Sequence, residues 1–230
     1  MSLFFVLDIG NITQYKFAWC EPFYQNPREY RTSDDCPTCP VCGGAIGMRR
    51  WLPPHRVVIK QPLRVGDLLY GAFSFVVSER FKTAYEAEGL SGIETFFPLE
   101  IVQMGNGRSG KSYAKPALFG AEVIHASARI DYERSATKWW KQPQPDYCRH
   151  CGPGGGGKGG TAERFEGLYF EDHTWKGEDF FYPINLCGRV LISEAGARFI
   201  RDHQFSNVSL TPAEEYFYDM SDFSFLRPPA

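Results

Sequence analysis

The chain has 230 residues, a formal net charge of -2, and 43% hydrophobic and 16% aromatic content. That is enough apolar material for one large core or two small ones, which excludes the physics of a marginal mini-protein, and it lacks the basic excess of a typical nucleic-acid binder. No run of about 18 apolar residues occurs, and the start, Met1 to Asp8, has neither the basic flank nor the small-residue cleavage site of a secretory signal, so a soluble, cytoplasmic protein with no membrane association is expected.

In chain order, segments 3–9 and 15–19 are rich in aromatic and β-branched residues and bounded by Gly or Asn, which predicts strands. The first cysteine pair follows, Cys39-Pro40-Val41-Cys42-Gly43, and then a strand-like run at 56–60. Val76-Val77 leads into Ser78, a side chain that caps helices, then Glu79, which suits the positive end of a helix dipole. Phe81, Ala84 and Tyr85 recur at helical spacing, and Gly89 ends the helix. Further strands are predicted at 101–104 and 117–126, with a glycine-rich hairpin loop between them. The second pair, Cys148-Arg149-His150-Cys151-Gly152, precedes a stretch at 152–160 that contains seven glycines and reads as a mobile loop. Six acids between Glu163 and Asp179 face only Arg164 and Lys176, and 202–222 holds five acids with no Lys or Arg, an acidic surface suited to a basic partner. The element mix predicts an α+β fold of mixed sheets with a few helices.

The two Cys-x-x-Cys-Gly motifs carry the chemistry. Each offers two thiolates on a tight turn, with a glycine after the second Cys to turn the backbone back through positive φ. Cys36 and Cys39 form a competing pair, but only Cys42 is followed by glycine, as Cys151 is. Cys39, Cys42, Cys148 and Cys151 are therefore the candidate ligands of a structural Zn2+. Four thiolates leave the metal no open position, and a reducing compartment favours metal over disulfides. Between Cys42 and Cys148 lie 105 residues, far beyond the roughly 12 to 20 of ordinary zinc fingers, so zinc would join two distant parts of the chain. Cys20, Cys36 and Cys187 are left over.

The chain also resembles itself. Val76 to Tyr85, ending in Gly89 to Ile93, aligns with Leu191 to Ile200, ending in Gln204 to Val208, and Phe97-Pro98-Leu99-Glu100 aligns with Thr211-Pro212-Ala213-Glu214. A twofold internal repeat is expected within one domain spanning 1–230, with halves of roughly 1–115 and 116–230, each carrying one cysteine pair and one strand-helix unit. Phe81 is exchanged for Gly196 and Ala84 for Phe199, as two different packing environments would require.

Gly105-Asn106-Gly107-Arg108-Ser109-Gly110-Lys111-Ser112 matches the phosphate-loop pattern, but Pro116 stands where the required helix would run. An NTPase is therefore the lesser reading of this loop. Arg49, Arg50, Lys138 and Lys141 near the zinc turns would serve a nucleic-acid-binding zinc protein, against which the net charge argues. The five histidines lack ligand spacing, and no nucleophile stands beside a base, so a non-enzymatic protein is expected.

With both Cys-x-x-Cys-Gly motifs and the Val-Val-Ser-Glu-Arg-Phe to Leu-Ser-Gly-Ile-Glu segment in view, the chain resembles the double-CxxCG-motif immunity family of myxobacteria. Members of that family are paired with Sit-type polymorphic toxins exchanged between kin cells. The resemblance implies an immunity protein that binds and neutralises a cognate toxin in the cytoplasm by stoichiometric complex formation, with zinc on Cys39, Cys42, Cys148 and Cys151; the acidic surface would suit a toxin that is a basic nuclease.

Overall fold

The computed structural model describes residues 3–10, 18–23, 32–60, 64–71, 75–105, 114–155, 158–186 and 188–219. Its elements are β1 (Phe4–Ile9), β2 (Trp19–Pro22), β3 (Arg56–Lys60), β4 (Leu68–Tyr70), β5 (Phe75–Ser78), α1 (Glu79–Glu88), β6 (Ile93–Pro98), β7 (Glu100–Met104), β8 (Leu118–Val123), β9 (His125–Arg129), β10 (Lys138–Lys141), β11 (Thr161–Glu166), β12 (Phe180–Ile184), β13 (Leu191–Ser193), α2 (Glu194–His203), β14 (Val208–Pro212) and β15 (Phe217–Asp219). This is an α+β fold of mixed sheets.

Two larger sheets face a shared interior. One has the order β4-β5-β8-β6, the other β14-β1-β13-β12-β9. The strands β1, β5, β12 and β13 are apolar on both faces because they are covered on both sides. In β1, Phe5 and Leu7 enter the central core while Phe4 and Val6 enter a second core on the opposite face, as period-two alternation requires. In β5, Phe75 and Val77 point into the central core and Val76 into a third. The second and third cores lie beneath two small sheets, β10-β11-β15 and β2-β3-β7.

Both helices contribute to the central core. Ser78 caps α1, its hydroxyl accepting from the Phe81 N–H at 3.2 Å, and Ser193 caps α2, accepting from the Gly196 N–H at 3.1 Å. Glu79 and Glu194 occupy the first turns. The helices end on left-handed residues, Gly89 (φ 64°) and Gln204 (φ 50°). Phe81 and Phe199 meet edge to face at 5.4 Å between the helices, so each helix supplies one large ring to the same space. A Cβ at Gly196 would come within 2.9 Å of the Asp179 carbonyl oxygen and 3.1 Å of the Ile192 Cβ.

Two carboxylates tie the helix ends together across the molecule. Asp67, just before β4, accepts from the Ser78 hydroxyl at 2.9 Å, and from the N–H and hydroxyl of Ser206 at 2.9 and 2.8 Å. Asp179, just before β12, accepts from the Ser193 hydroxyl at 2.8 Å, and from the N–H and hydroxyl of Ser91 at 2.9 Å each. Burial works against ionisation of Asp67, but the Ser206 N–H and hydroxyl, the Ser78 hydroxyl and the Arg80 charge outweigh it and hold its carboxyl below the usual range.

Several sequence expectations need correction. The run 117–126 is two strands, because the chain leaves the first large sheet at Ile124 and enters the second as β9, parallel to β12. The hairpin expected across 105–112 is not formed by the strands on either side of it. Those strands do not pair, since β7 lies on β3 and β8 is held between β5 and β6; residues 106–112 themselves lie outside the described residues. Of the strand expected at 15–19, residues 15–17 also lie outside them, and β2 begins at Trp19. Three of the six acids in 163–179 are paired with cations distant in sequence or nearby on the same face. Glu163 pairs with Lys138 at 2.8 Å, Glu166 with Arg164 at 2.8 Å and Glu171 with Arg129 at 2.6 Å.

Phe81 is fully buried, and Phe81→Ala should cost about 3 to 5 kcal/mol in urea unfolding. A carboxylate with a depressed folded-state pKa stabilises above its usual value of about 3.9 and loses that contribution as pH falls through the folded value. Asp67→Asn should therefore lower stability at neutral pH and flatten its loss below about pH 4, measured as urea midpoint against pH.

Candidate metal centre

Each cysteine pair sits in a loop between two strands of a small sheet, the first between β2 and β3, the second between β10 and β11. In the first loop Thr38 and Ala45 form a bridge, the Cys39 N–H donates to the Gly44 carbonyl at 2.8 Å, and the Gly43 N–H donates to the Cys39 carbonyl at 2.9 Å. In the second, the Gly152 N–H donates to the Cys148 carbonyl at the same 2.9 Å. Gly43 has φ 69° and Gly152 φ 77°. Nothing lies within 4 Å of a Cβ at Gly43, so the left-handed backbone, and not space, is what calls for glycine there.

The structure brings Cys39, Cys42, Cys148 and Cys151 together, with all four sulfur atoms within 4.8 Å of one another. Cys39 Sγ is 3.8 Å from Cys148 Sγ, and Cys42 Sγ is 3.8 Å from Cys151 Sγ. Tetrahedral coordination with zinc-sulfur bonds of about 2.3 Å places sulfurs about 3.8 Å apart, whereas a disulfide needs about 2.05 Å. The donor set is all thiolate, which suits zinc among the borderline-soft metals. The cluster can therefore hold a metal such as zinc, and with four protein ligands the metal's coordination is complete.

Cys39 and Cys151 are each 1% exposed and pack with Ile184 and Ile46, while Cys42 is exposed and Cys148 intermediate. The Cys148 thiol is lowered to about 7, chiefly because the Cys151 backbone N–H points at its sulfur, with the His150 N–H adding to the effect. Burial, with the neighbouring thiols adding to it, pushes Cys151 upward.

Residues that the motifs do not reveal complete the second turn. The Asn185 side-chain amide donates to the Cys151 carbonyl at 2.5 Å, and Arg129 donates to the His150 carbonyl at 3.0 Å. A Cβ at Gly155 would stand 2.8 Å from the Cys151 sulfur, and one at Gly154 would clash with the Tyr132 hydroxyl. These glycines pack against the turn, so the described part of 152–160 is not a loop hanging free of the site. They are glycine because the backbone must approach Cys151 and Tyr132 closely.

The remaining candidates stand apart. Cys36 is not in the cluster, and Cys187 lies outside the described residues. Cys20 is buried in the third core, where desolvation pushes its thiol up to about 12 and leaves it unreactive near neutral pH. His150 contributes its carbonyl and not its ring to local structure. His173 occupies a left-handed turn position (φ 64°), while its neighbour Glu171 is paired with Arg129. His203 contacts Glu88 at 2.6 Å, and the His125 ring accepts from the Met48 N–H at 3.2 Å. No family model and no curated protein matches the chain.

Purified protein should carry one zinc per chain by elemental analysis. Cys39→Ser or Cys151→Ser should abolish that stoichiometry, whereas Cys36→Ser should preserve it. Removing the metal should destabilise the fold by an amount on the order of 10 kcal/mol, read as a collapse of the urea transition after chelation.

Proposed function

We propose that this chain is a non-enzymatic immunity protein, stapled by zinc, that neutralises a cognate toxin by forming a stoichiometric complex in the cytoplasm. The observation that carries the reading is the four-thiolate cluster, which joins turns 109 positions apart and leaves a bound metal no vacant position for substrate. Such a metal supplies rigidity, and a rigid surface binds a protein partner at low entropic cost. The motifs that form the cluster are the ones in which the chain resembles the double-CxxCG immunity family.

We also read the two halves as diverged copies of one module. Three features support this. Helix caps Ser78 and Ser193, C-caps Gly89 and Gln204, and left-handed turn residues Gly92 (φ 101°) and Asn207 (φ 66°) fall at aligned positions. Asp67 and Asp179 make the same set of serine hydrogen bonds. The small sheets β2-β3-β7 and β10-β11-β15 each carry a cysteine turn between their first two strands. The copies differ in the third strand, since β7 runs parallel to β3 and β15 antiparallel to β11.

The toxin-facing surface we assign to the outward side of β10-β11-β15. Phe165 and Tyr218 turn inward to the second core and Trp139 inward onto Tyr132, while Trp140 (72% exposed) and Phe217 (57% exposed) remain outside. Exposed aromatics of this kind anchor interfaces.

Co-expression with the toxin encoded beside it should protect cells and yield a complex that co-purifies; growth arrest with no complex would refute the reading. Trp140→Ala with Phe217→Ala should weaken that complex by about tenfold or more with an unchanged urea midpoint. Lys111→Ala should leave protection intact, as expected if the phosphate-loop-like segment carries no NTPase activity.

A further inference from the structure

Each half of the chain lacks one strand in its large sheet, and in each case the other half supplies it. β8, the first strand of 116–230, lies between β5 and β6 and is antiparallel to both. β1, the first strand of 1–115, lies between β13 and β14 and is antiparallel to both. The two insertions share one register. Phe119 stands opposite Val77 and Pro98, and Phe5 stands opposite Ile192 and Pro212. The helix-capping serines face the preceding residue, Ser78 opposite Leu118 and Ser193 opposite Phe4. The outer hairpins continue the match, with Leu68 opposite Val77 and Phe180 opposite Ile192.

The polar ties cross between halves in the same reciprocal way. Asp67 belongs to the first half and holds Ser206 of the second; Asp179 belongs to the second and holds Ser91 of the first. Backbone bonds repeat the exchange, from the Leu68 N–H to the Ser206 carbonyl at 3.3 Å and from the Phe180 N–H to the Ser91 carbonyl at 3.1 Å. The two 3.8 Å sulfur pairs, Cys39 with Cys148 and Cys42 with Cys151, each join corresponding residues of the two motifs. A twofold operation that swaps the halves therefore maps the metal cluster onto itself.

We infer that the chain is a strand-exchanged dimer fused into one polypeptide, in which each half presents a slot that fits the opening strand of a like half. The inference deepens the duplication reading above. The slot is narrow in its chemistry. It takes an extended segment that pairs on both edges and is apolar on both faces, as Phe4 to Leu7 and Leu118 to Ala121 are. An empty slot would leave two flanking strands with bare N–H and C=O groups in the interior and would open two cores at once. Neither half can meet that cost by itself, so the partner each half requires is the other half.

The test uses the full chain, zinc-loaded, with a protease site placed within residues 106–113. After cleavage the halves should co-elute as a 1:1 pair that retains the metal, and the urea midpoint should fall on about tenfold dilution, as it does for any two-component fold. Halves separated in urea and refolded singly at low micromolar concentration should show no cooperative transition, and mixing should restore it. Either half refolding alone as a cooperative monomer would overturn the inference, as would dissociation of the cleaved, metal-loaded pair in native buffer. A single half that pairs with itself around one zinc at high concentration would support both exchange and duplication. Halves that pair only with each other would support the exchange and count against duplication.

Discussion

Four cysteine sulfurs held within 4.8 Å of one another are the constraint from which the rest of this structure follows. As thiolates they repel, and only a cation at their centre turns the cluster from a liability into a bond. The two turns that present them come from different small sheets, so closing the cluster brings β2-β3-β7 and β10-β11-β15 into a definite relation. The two halves of the chain are bound to each other separately, through the ladders of β1 and β8 and through the carboxylates of Asp67 and Asp179. Metal, ladder and carboxylate thus make three independent kinds of tie across one interface.

These ties differ in what disturbs them. The ladders and the central core respond to denaturant and temperature, since their strength lies in buried apolar surface and paired backbone groups. The serine-held carboxylate of Asp67 answers to acid. The thiolate cluster answers to acid, chelators and oxidants together, because protons and oxidation remove the ligands and chelators remove the metal. Chelators and oxidants thus act on the tie between the small sheets and not on those of the large sheets.

What the sequence revealed is confined to local chemistry. Ser78-Glu79 and Ser193-Glu194 announce helix starts because capping acts within a few residues. The glycine after the second cysteine separates Cys39 and Cys42 from the overlapping Cys36 pair, since a left-handed turn is also a local demand. Long-range pairing leaves no such mark. Nothing in Leu118 to Val123 shows that this strand joins the sheet of the preceding half, and the segment looks continuous with β9 because both are apolar. The acids of 163–179 look uncompensated because Lys138 and Arg129 meet them only through the fold. Gly154 and Gly155, just beyond the second cysteine motif, read as slack when they mark close approach to Tyr132 and Cys151.

The placement of β1 also sets the order in which the molecule can assemble during synthesis. Among the described elements this strand emerges first, yet its neighbours β13 and β14 are among the last to follow. Until they are made, Phe4, Phe5, Val6 and Leu7 are a short apolar β-forming stretch with both edges open, the kind of segment that pairs promiscuously. The first half is meanwhile incomplete until β8 has left the ribosome. The decisive step of folding therefore waits for β13 and β14, and it is dominated by contacts of very long sequence separation and correspondingly slow. The nascent protein depends on β1 being kept from other chains for nearly the whole time in which these elements are synthesised.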